Sequence, residues 1–158
     1  MIIYNSEISK VTDAEMRLNE LLDKLREREC RITPQRIALL RLIIASETHP
    51  TATELYEQLR VHYPTTSLAT VYKTLNLLKE MGEVLELNFG EGEHHYDGLK
   101  PSPHPHVVCV RCHAIRDAEV PIFEDLAHQV ATNTGFHITS HRLDFFGICP
   151  RCQEAAME

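Results

Sequence analysis

The chain of 158 residues is long enough for one or two small domains with a real core, and its 43% hydrophobic, 25% charged composition is ordinary for a water-soluble protein. No apolar run approaches the ~18–20 residues that span a bilayer, and the start MIIYNSEISK lacks a signal-peptide core, so the expectation is a cytoplasmic protein with no membrane partner. The net charge of −7 speaks against nucleic acid, yet it is uneven: residues 26–80 carry +2, whereas 1–25 carry −2 and 81–158 carry −7.

From about Asp13 to Met81 the apolar period is helical. Leu18, Leu21, Leu22 and Leu25 mark a first helix ending near Glu29. Thr33-Pro34-Gln35-Arg36 starts a second, with Thr33 as N-cap, Pro34 in the first position and Ile37, Leu39, Leu40, Ile43 and Ile44 as its buried stripe. His49-Pro50 breaks that helix, and Thr51 or Thr53 caps a third carrying Leu55, Tyr56 and Leu59. A fourth runs from about Ser67 to Met81 and stops at Gly82. Val84 to Phe89 then alternates as a strand, Gly90-Glu91-Gly92 turns it, and His94 to Asp97 runs back. Helices followed by such a hairpin form a winged helix-turn-helix.

Gly98 to Pro105 holds three prolines and marks a linker. Beyond it, His106–Val110 and Ala114–Val120 alternate like strands, Pro121–Thr134 is helical, and Phe136–Ile148 is one or two strands. The fold class is therefore α+β. Its expected domains are a winged-helix domain over 1–98, a hinge over 99–105 and a small α+β domain over 106–158.

On the fourth helix, Leu68, Val71, Tyr72, Leu75 and Leu78 form an apolar stripe and leave Ser67, Thr70, Lys73, Thr74 and Lys79 on the other face. Short hydroxyls and lysines suit phosphates and base edges, because a helix fits the major groove of double-stranded DNA. A solvated polar face is the competing reading, and the wing that follows favours DNA.

Cys109-Val-Arg-Cys112 and Cys149-Pro-Arg-Cys152 are two Cys-x-x-Cys turns separated by 36 residues. Together they supply four thiolates for a closed, tetrahedral structural Zn²⁺ site stapling the second domain. Cys30 has no partner in this pattern and is expected as a small packed hydrophobe. His104-Pro-His106 puts two imidazoles on one face of an extended segment, with Asp97 just before and Asp117 on the next strand. His49 either joins them or is a turn residue before proline. Nitrogen and oxygen donors without thiolate suit Fe²⁺ or Mn²⁺.

The stretches RITPQR (31–36), HPTATELY (49–56), SLATVYKTL (67–75), HVVCVRC (106–112), HRL (141–143) and GICPRC (147–152) resemble the ferric uptake regulator family over about residues 15–153. The resemblance implies a metal-dependent repressor rather than an enzyme. It implies a homodimer, joined through the C-terminal domain, on a palindromic, AT-rich operator. It further implies that Tyr72 reaches a base and Arg31 the minor groove, though a packing role for Tyr72 stays open. In this family the regulatory metal is held at positions matching His49, Asp97, His104, His106 and Asp117. Aspartate at 117 resembles the peroxide-sensing branch, where Fe²⁺-catalysed oxidation converts the residues matching His49 and His104 to 2-oxo-histidine. Iron-responsive members usually have glutamate there. The proline pair Pro103 and Pro105 replaces the alternation that builds a further metal site in such members. A non-haem iron enzyme and a metal-stapled interaction module are the rival classes, although no separate general base or substrate motif stands out.

Overall fold

The computed structural model describes residues 4–90, 92–120 and 123–156. The chain divides into two compact units, Met1–Pro101 and Ser102–Glu158, and the architecture is α+β. Among the described residues no helix is long and apolar enough to cross a membrane.

The first unit contains α1 (Tyr4–Glu27), α2 (Pro34–Ala45), α3 (Ala52–Arg60), α4 (Leu68–Glu80), β1 (Leu85–Leu87) and β2 (His95–Asp97). The helix starts follow from cap chemistry. Thr33 accepts from Arg36 N, and Ser67 accepts from Thr70 N. Thr51, not Thr53, caps α3 through a reciprocal capping box with Glu54. α1 begins well before the expected periodic region and ends short of Glu29, which takes a left-handed φ of 55° while Cys30 N donates to Leu25 O at 2.9 Å. Gly82, with φ 72°, ends α4 as expected.

Leu21, Leu25, Leu39, Leu40, Ile43, Leu55, Val71, Leu75 and Leu78 fill the core between these helices, each burial worth about 1.5–3 kcal/mol. Cys30 packs against this core as a small apolar group. β1 and β2 pair antiparallel with Leu85 opposite Asp97 and Leu87 opposite His95, a shorter ladder than the alternation suggested. Of the expected turn, Glu91 lies outside the described residues, while Gly90 and Gly92 both have positive φ. The hairpin is tied to the α2–α3 connection: Tyr96 N donates to Pro50 O at 2.9 Å, and Thr51 bridges His95.

The second unit contains β3 (His106–Cys109), β4 (Ile115–Asp117), α5 (Phe123–Thr134), β5 (Asp144–Gly147) and α6 (Pro150–Glu154). β3 is the central strand of a three-stranded sheet, antiparallel to β4 and parallel to β5. The expected helix start at Pro121 lies outside the described residues. Of the expected strand stretch 136–148 only Asp144–Gly147 is a strand, because β3 offers four residues to pair with. α6 was not anticipated, although Pro150 after Cys149 carries the signature of a first helical position. Among the described residues the apolar core here is thin, with Val108, Cys109 and Ile115 buried. So small a core needs reinforcement from a metal or a partner.

Candidate metal centres and nucleic-acid interface

The sheet of the second unit assembles the cysteines. β3 ends at Cys109, and its parallel register sets Cys109 opposite Gly147, so the chain leaving β5 delivers Cys149 to the same end of the sheet. Cys149 is the N-cap of α6, and Cys152 lies within that helix. A left-handed His113, with φ 59°, turns the chain behind Cys112. The four sulfurs all lie within 4.8 Å of one another, with Cys112 Sγ 3.7 Å from Cys149 Sγ. Cys149 N donates to Cys109 Sγ at 3.3 Å. The backbone N–H of Cys149, followed by that of Cys112, pulls the Cys109 thiol down to about 5. Hydrogen bonds from Cys149 and Cys112 push Cys152 up to about 12. The backbone N–H of Ala114 lowers Cys112 as well, so the site favours thiolate at Cys109 and Cys112 and opposes it at Cys152, where a divalent cation would offset the repulsion. Four sulfurs at this spacing fit tetrahedral zinc.

Of the expected nitrogen and oxygen donors, His49 and Asp97 lie in the first unit, and His104, His106 and Asp117 in the second. In the first, His49 and Asp97 are almost fully buried, and His49 Nε2 lies 3.4 Å from Asp97 Oδ2. His49 occupies the α2–α3 connection with φ 53°, and its carbonyl accepts from His95 Nδ1 at 2.7 Å. Asp97 ends β2, and its Oδ1 accepts from Leu99 N at 2.9 Å and Lys100 N at 3.0 Å, which leaves Oδ2 on the His49 side.

In the second unit, β3–β4 pairing sets His106 opposite Asp117. Asp117 Oδ1 lies 3.2 Å from His104 Nε2 and 3.9 Å from His106 Nε2, and the two imidazole centroids are 4.4 Å apart. His104 Nδ1 meets Ser102 O at 2.8 Å. A carbonyl only accepts, so Nδ1 carries a proton there, and in the neutral ring Nε2 is the lone-pair donor. Two imidazole nitrogens and a carboxylate oxygen converging in this way suit a divalent cation of intermediate hardness. Asp144 was not anticipated from the sequence. It flanks His106 on β5, with Oδ1 3.7 Å from His106 Nδ1 and Oδ2 held by Arg142 Nε at 2.7 Å.

On α4, Val71, Leu75 and Leu78 face the core as expected, but two neighbours exchange places. Tyr72 is 39% exposed and stands outside the apolar stripe, whereas Thr74 is buried with its hydroxyl donating to Thr70 O at 3.0 Å. At 100° per residue both positions lie at the stripe's edges, and the i−4 hydrogen bond is what lets a threonine turn inward. Ser67, Thr70, Tyr72 and Lys73 are all exposed. Ser67 and Thr70 hydroxyls lie 2.9 Å apart. Arg31, also exposed, lies just before α2, with its carbonyl accepting from Arg36 Nη1 at 2.6 Å.

Residues 27–146 match the family model described as the ferric uptake regulator family. The peroxide-responsive repressor PerR of Staphylococcus aureus (strain USA300) is 37% identical over 145 residues, covering 92% of this chain and 97% of that relative. Among solved structures, the Campylobacter jejuni peroxide stress regulator is similar with a TM-score of 0.68 and 33% identity, over 84% of this chain and 98% of that one. A zinc uptake regulator complexed with zinc and DNA is similar with a TM-score of 0.66 and 26% identity, over 92% of this chain and 98% of that one.

Proposed function

Because the chain belongs to the ferric uptake regulator family, we propose that it is a metal-dependent, DNA-binding transcriptional repressor that senses peroxide. The observation that carries this reading is the donor set: three buried or half-buried histidines and two aspartates, with no thiolate among them. Its cofactors are structural Zn²⁺ on Cys109, Cys112, Cys149 and Cys152, and a regulatory Fe²⁺ or Mn²⁺.

We assign the regulatory ion to His49, Asp97, His104, His106 and Asp117. His49 and Asp97 belong to the winged-helix domain (1–98), the others to the hinge (99–105) and the dimerisation domain (106–158). Ligands drawn from two domains favour one domain arrangement, so ion binding and operator binding strengthen each other reciprocally. Bound Fe²⁺ supplies one-electron reduction of peroxide beside the imidazoles, chemistry that Mn²⁺ does not supply. Oxidation of His49 or His104 removes a ligand, which loosens the arrangement and releases the operator.

Ser67, Thr70, Tyr72 and Lys73 on α4 read and anchor double-stranded DNA, with Arg31 entering the minor groove of a palindromic, AT-rich site. The exposure of Tyr72 supports contact with a base over a packing role. A homodimer is supported by the second unit's exposed Leu126, Val130, Phe136, Phe145 and Phe146, too many large apolar groups to be left to water. The protein works in the cytoplasm and has no substrate to turn over.

The test is operator release across a peroxide titration, comparing Fe²⁺-loaded wild type, Mn²⁺-loaded wild type and Fe²⁺-loaded Asp117→Glu. The expected result is release of Fe²⁺-loaded wild type at low peroxide and resistance of the other two. Equal resistance of both Fe²⁺ proteins would move the chain to iron sensing. Equal sensitivity of both would keep peroxide sensing and remove Asp117 as its cause.

A further inference from the structure

We propose that Asp144 is a positioning residue for the regulatory metal, holding His106 in the tautomer that carries the ligating lone pair on Nε2. The inference deepens the assignment of His106 as a ligand and rests on it. His106 is 1% exposed and sits on the central strand of the sheet. The register gives it an aspartate on each side: Asp117 from β4 and Asp144 from β5. Asp117 addresses Nε2 at 3.9 Å, and Asp144 addresses Nδ1 at 3.7 Å, within ion-pair reach though longer than a hydrogen bond.

A neutral imidazole has one N–H, and its position decides which nitrogen can bind a metal. The surroundings break the tie between the two carboxylates. Asp117 Oδ1 already faces His104 Nε2 at 3.2 Å, and Ser102 O fixes that ring's proton on Nδ1. Asp117 therefore belongs to a cluster of lone pairs converging where a cation is wanted. Asp144 belongs to none. Its Oδ2 is held by Arg142 Nε at 2.7 Å, which fixes the carboxylate's orientation, and its buried Oδ1 points at His106. An anchored carboxylate behind a ligating histidine accepts the distal N–H, sets the tautomer and makes the ligating nitrogen more basic. Arg142 thus contributes at one remove, by keeping Asp144 in place.

The experiment uses the zinc-loaded, full-length protein labelled with ¹⁵N-histidine, at a pH where the rings are neutral. Long-range ¹H–¹⁵N correlation reads which nitrogen of His106 carries the proton, and Mn²⁺ titration reads affinity. Wild type is expected to carry the proton on Nδ1. Asp144→Ala should shift it to Nε2 and weaken Mn²⁺ binding about 10–100-fold, with zinc content and far-UV circular dichroism unchanged. Asp144→Glu keeps a carboxylate, with one oxygen for Arg142 and one for His106, so it should keep the proton on Nδ1 and recover most of the affinity.

A wild-type proton on Nε2 would overturn the proposal. So would Asp144→Ala with wild-type tautomer and affinity, or equal weakening of both variants with the tautomer unchanged. If Asp144→Ala loses its zinc or its fold, the wild-type and Asp144→Glu arms still decide. Wild-type protein that takes up no Mn²⁺ would instead overturn the five-ligand assignment, whereas the tautomer measurement needs no Mn²⁺ and judges Asp144 by itself.

Discussion

Gly98 follows Asp97 directly, and it is space that requires a glycine there. A Cβ at this position would meet Ile43 Cγ1 at 2.9 Å, Cγ2 at 3.1 Å and the Ile43 carbonyl at 3.3 Å. Ile43 is β-branched and fully buried in α2, so neither partner can give way freely. Gly98→Ala should therefore destabilise the first unit by about 1–3 kcal/mol. It should also displace Asp97 and weaken Mn²⁺ uptake. Urea unfolding of the zinc-loaded protein checks the first effect and a Mn²⁺ titration the second. In the sequence Gly98 marks only a shift towards linker composition, because its close approach to a distant helix leaves no local trace. Thr33 was legible for the opposite reason, and the α3 cap narrowed to Thr51 or Thr53: an N-cap acts within three residues of itself. Tyr72 and Thr74 were misplaced between those extremes, since periodicity locates a stripe but not its edges.

Among the elements, α1 is joined to the segment after α4 by a charge cluster that hydrophobic patterning does not reveal. Glu83, buried, receives Arg17 Nη1 at 2.7 Å and Lys24 Nζ at 2.5 Å, and its carbonyl accepts from Arg17 Nη2 at 3.2 Å. Burial alone would raise the Glu83 carboxyl, but the bonds from Lys24 and Arg17 outweigh it and hold the group below its ordinary range. A depressed folded pKa contributes stability that is present above the unfolded value and lost as pH falls through the folded one. Glu83→Gln should cost about 1–3 kcal/mol at neutral pH, between the values for exposed and buried pairs. The gap to wild type should close as the solution is acidified below the ordinary carboxyl range. Urea midpoints measured across that range check it, and a gap independent of pH would assign the loss to packing. The strands show a similar limit. His106 and Asp117 could be matched because a tight antiparallel turn joins β3 to β4, whereas Asp144 reaches His106 through a parallel pairing across α5.

At the scale of the whole chain, the helical half was legible nearly element by element, because its apolar period is strong and its breakers are sharp. The second half was legible mainly through its cysteines and histidines, whose chemistry announces itself without a large core. That contrast bears on the order in which the chain folds. Contacts in the first unit are mostly between successive helices, while the sheet of the second must bring β3 and β5 together over a long intervening loop. Closing that loop costs entropy before any pairing rewards it. Zinc held by Cys109 and Cys112 can capture Cys149 and Cys152 and hold the two strand ends together while they zip. Refolding from denaturant with zinc should protect the β3 and β5 amides soon after the helices. With a chelator the same amides should lag behind the helices, because the loop must then close without the ion. Pulse-labelled hydrogen exchange reads both, and equal rates would confine zinc to the finished structure. A lag without zinc would make the ion that fastens the sheet its nucleus as well, so that zinc supply would set how fast the second unit matures and not only how firmly it holds.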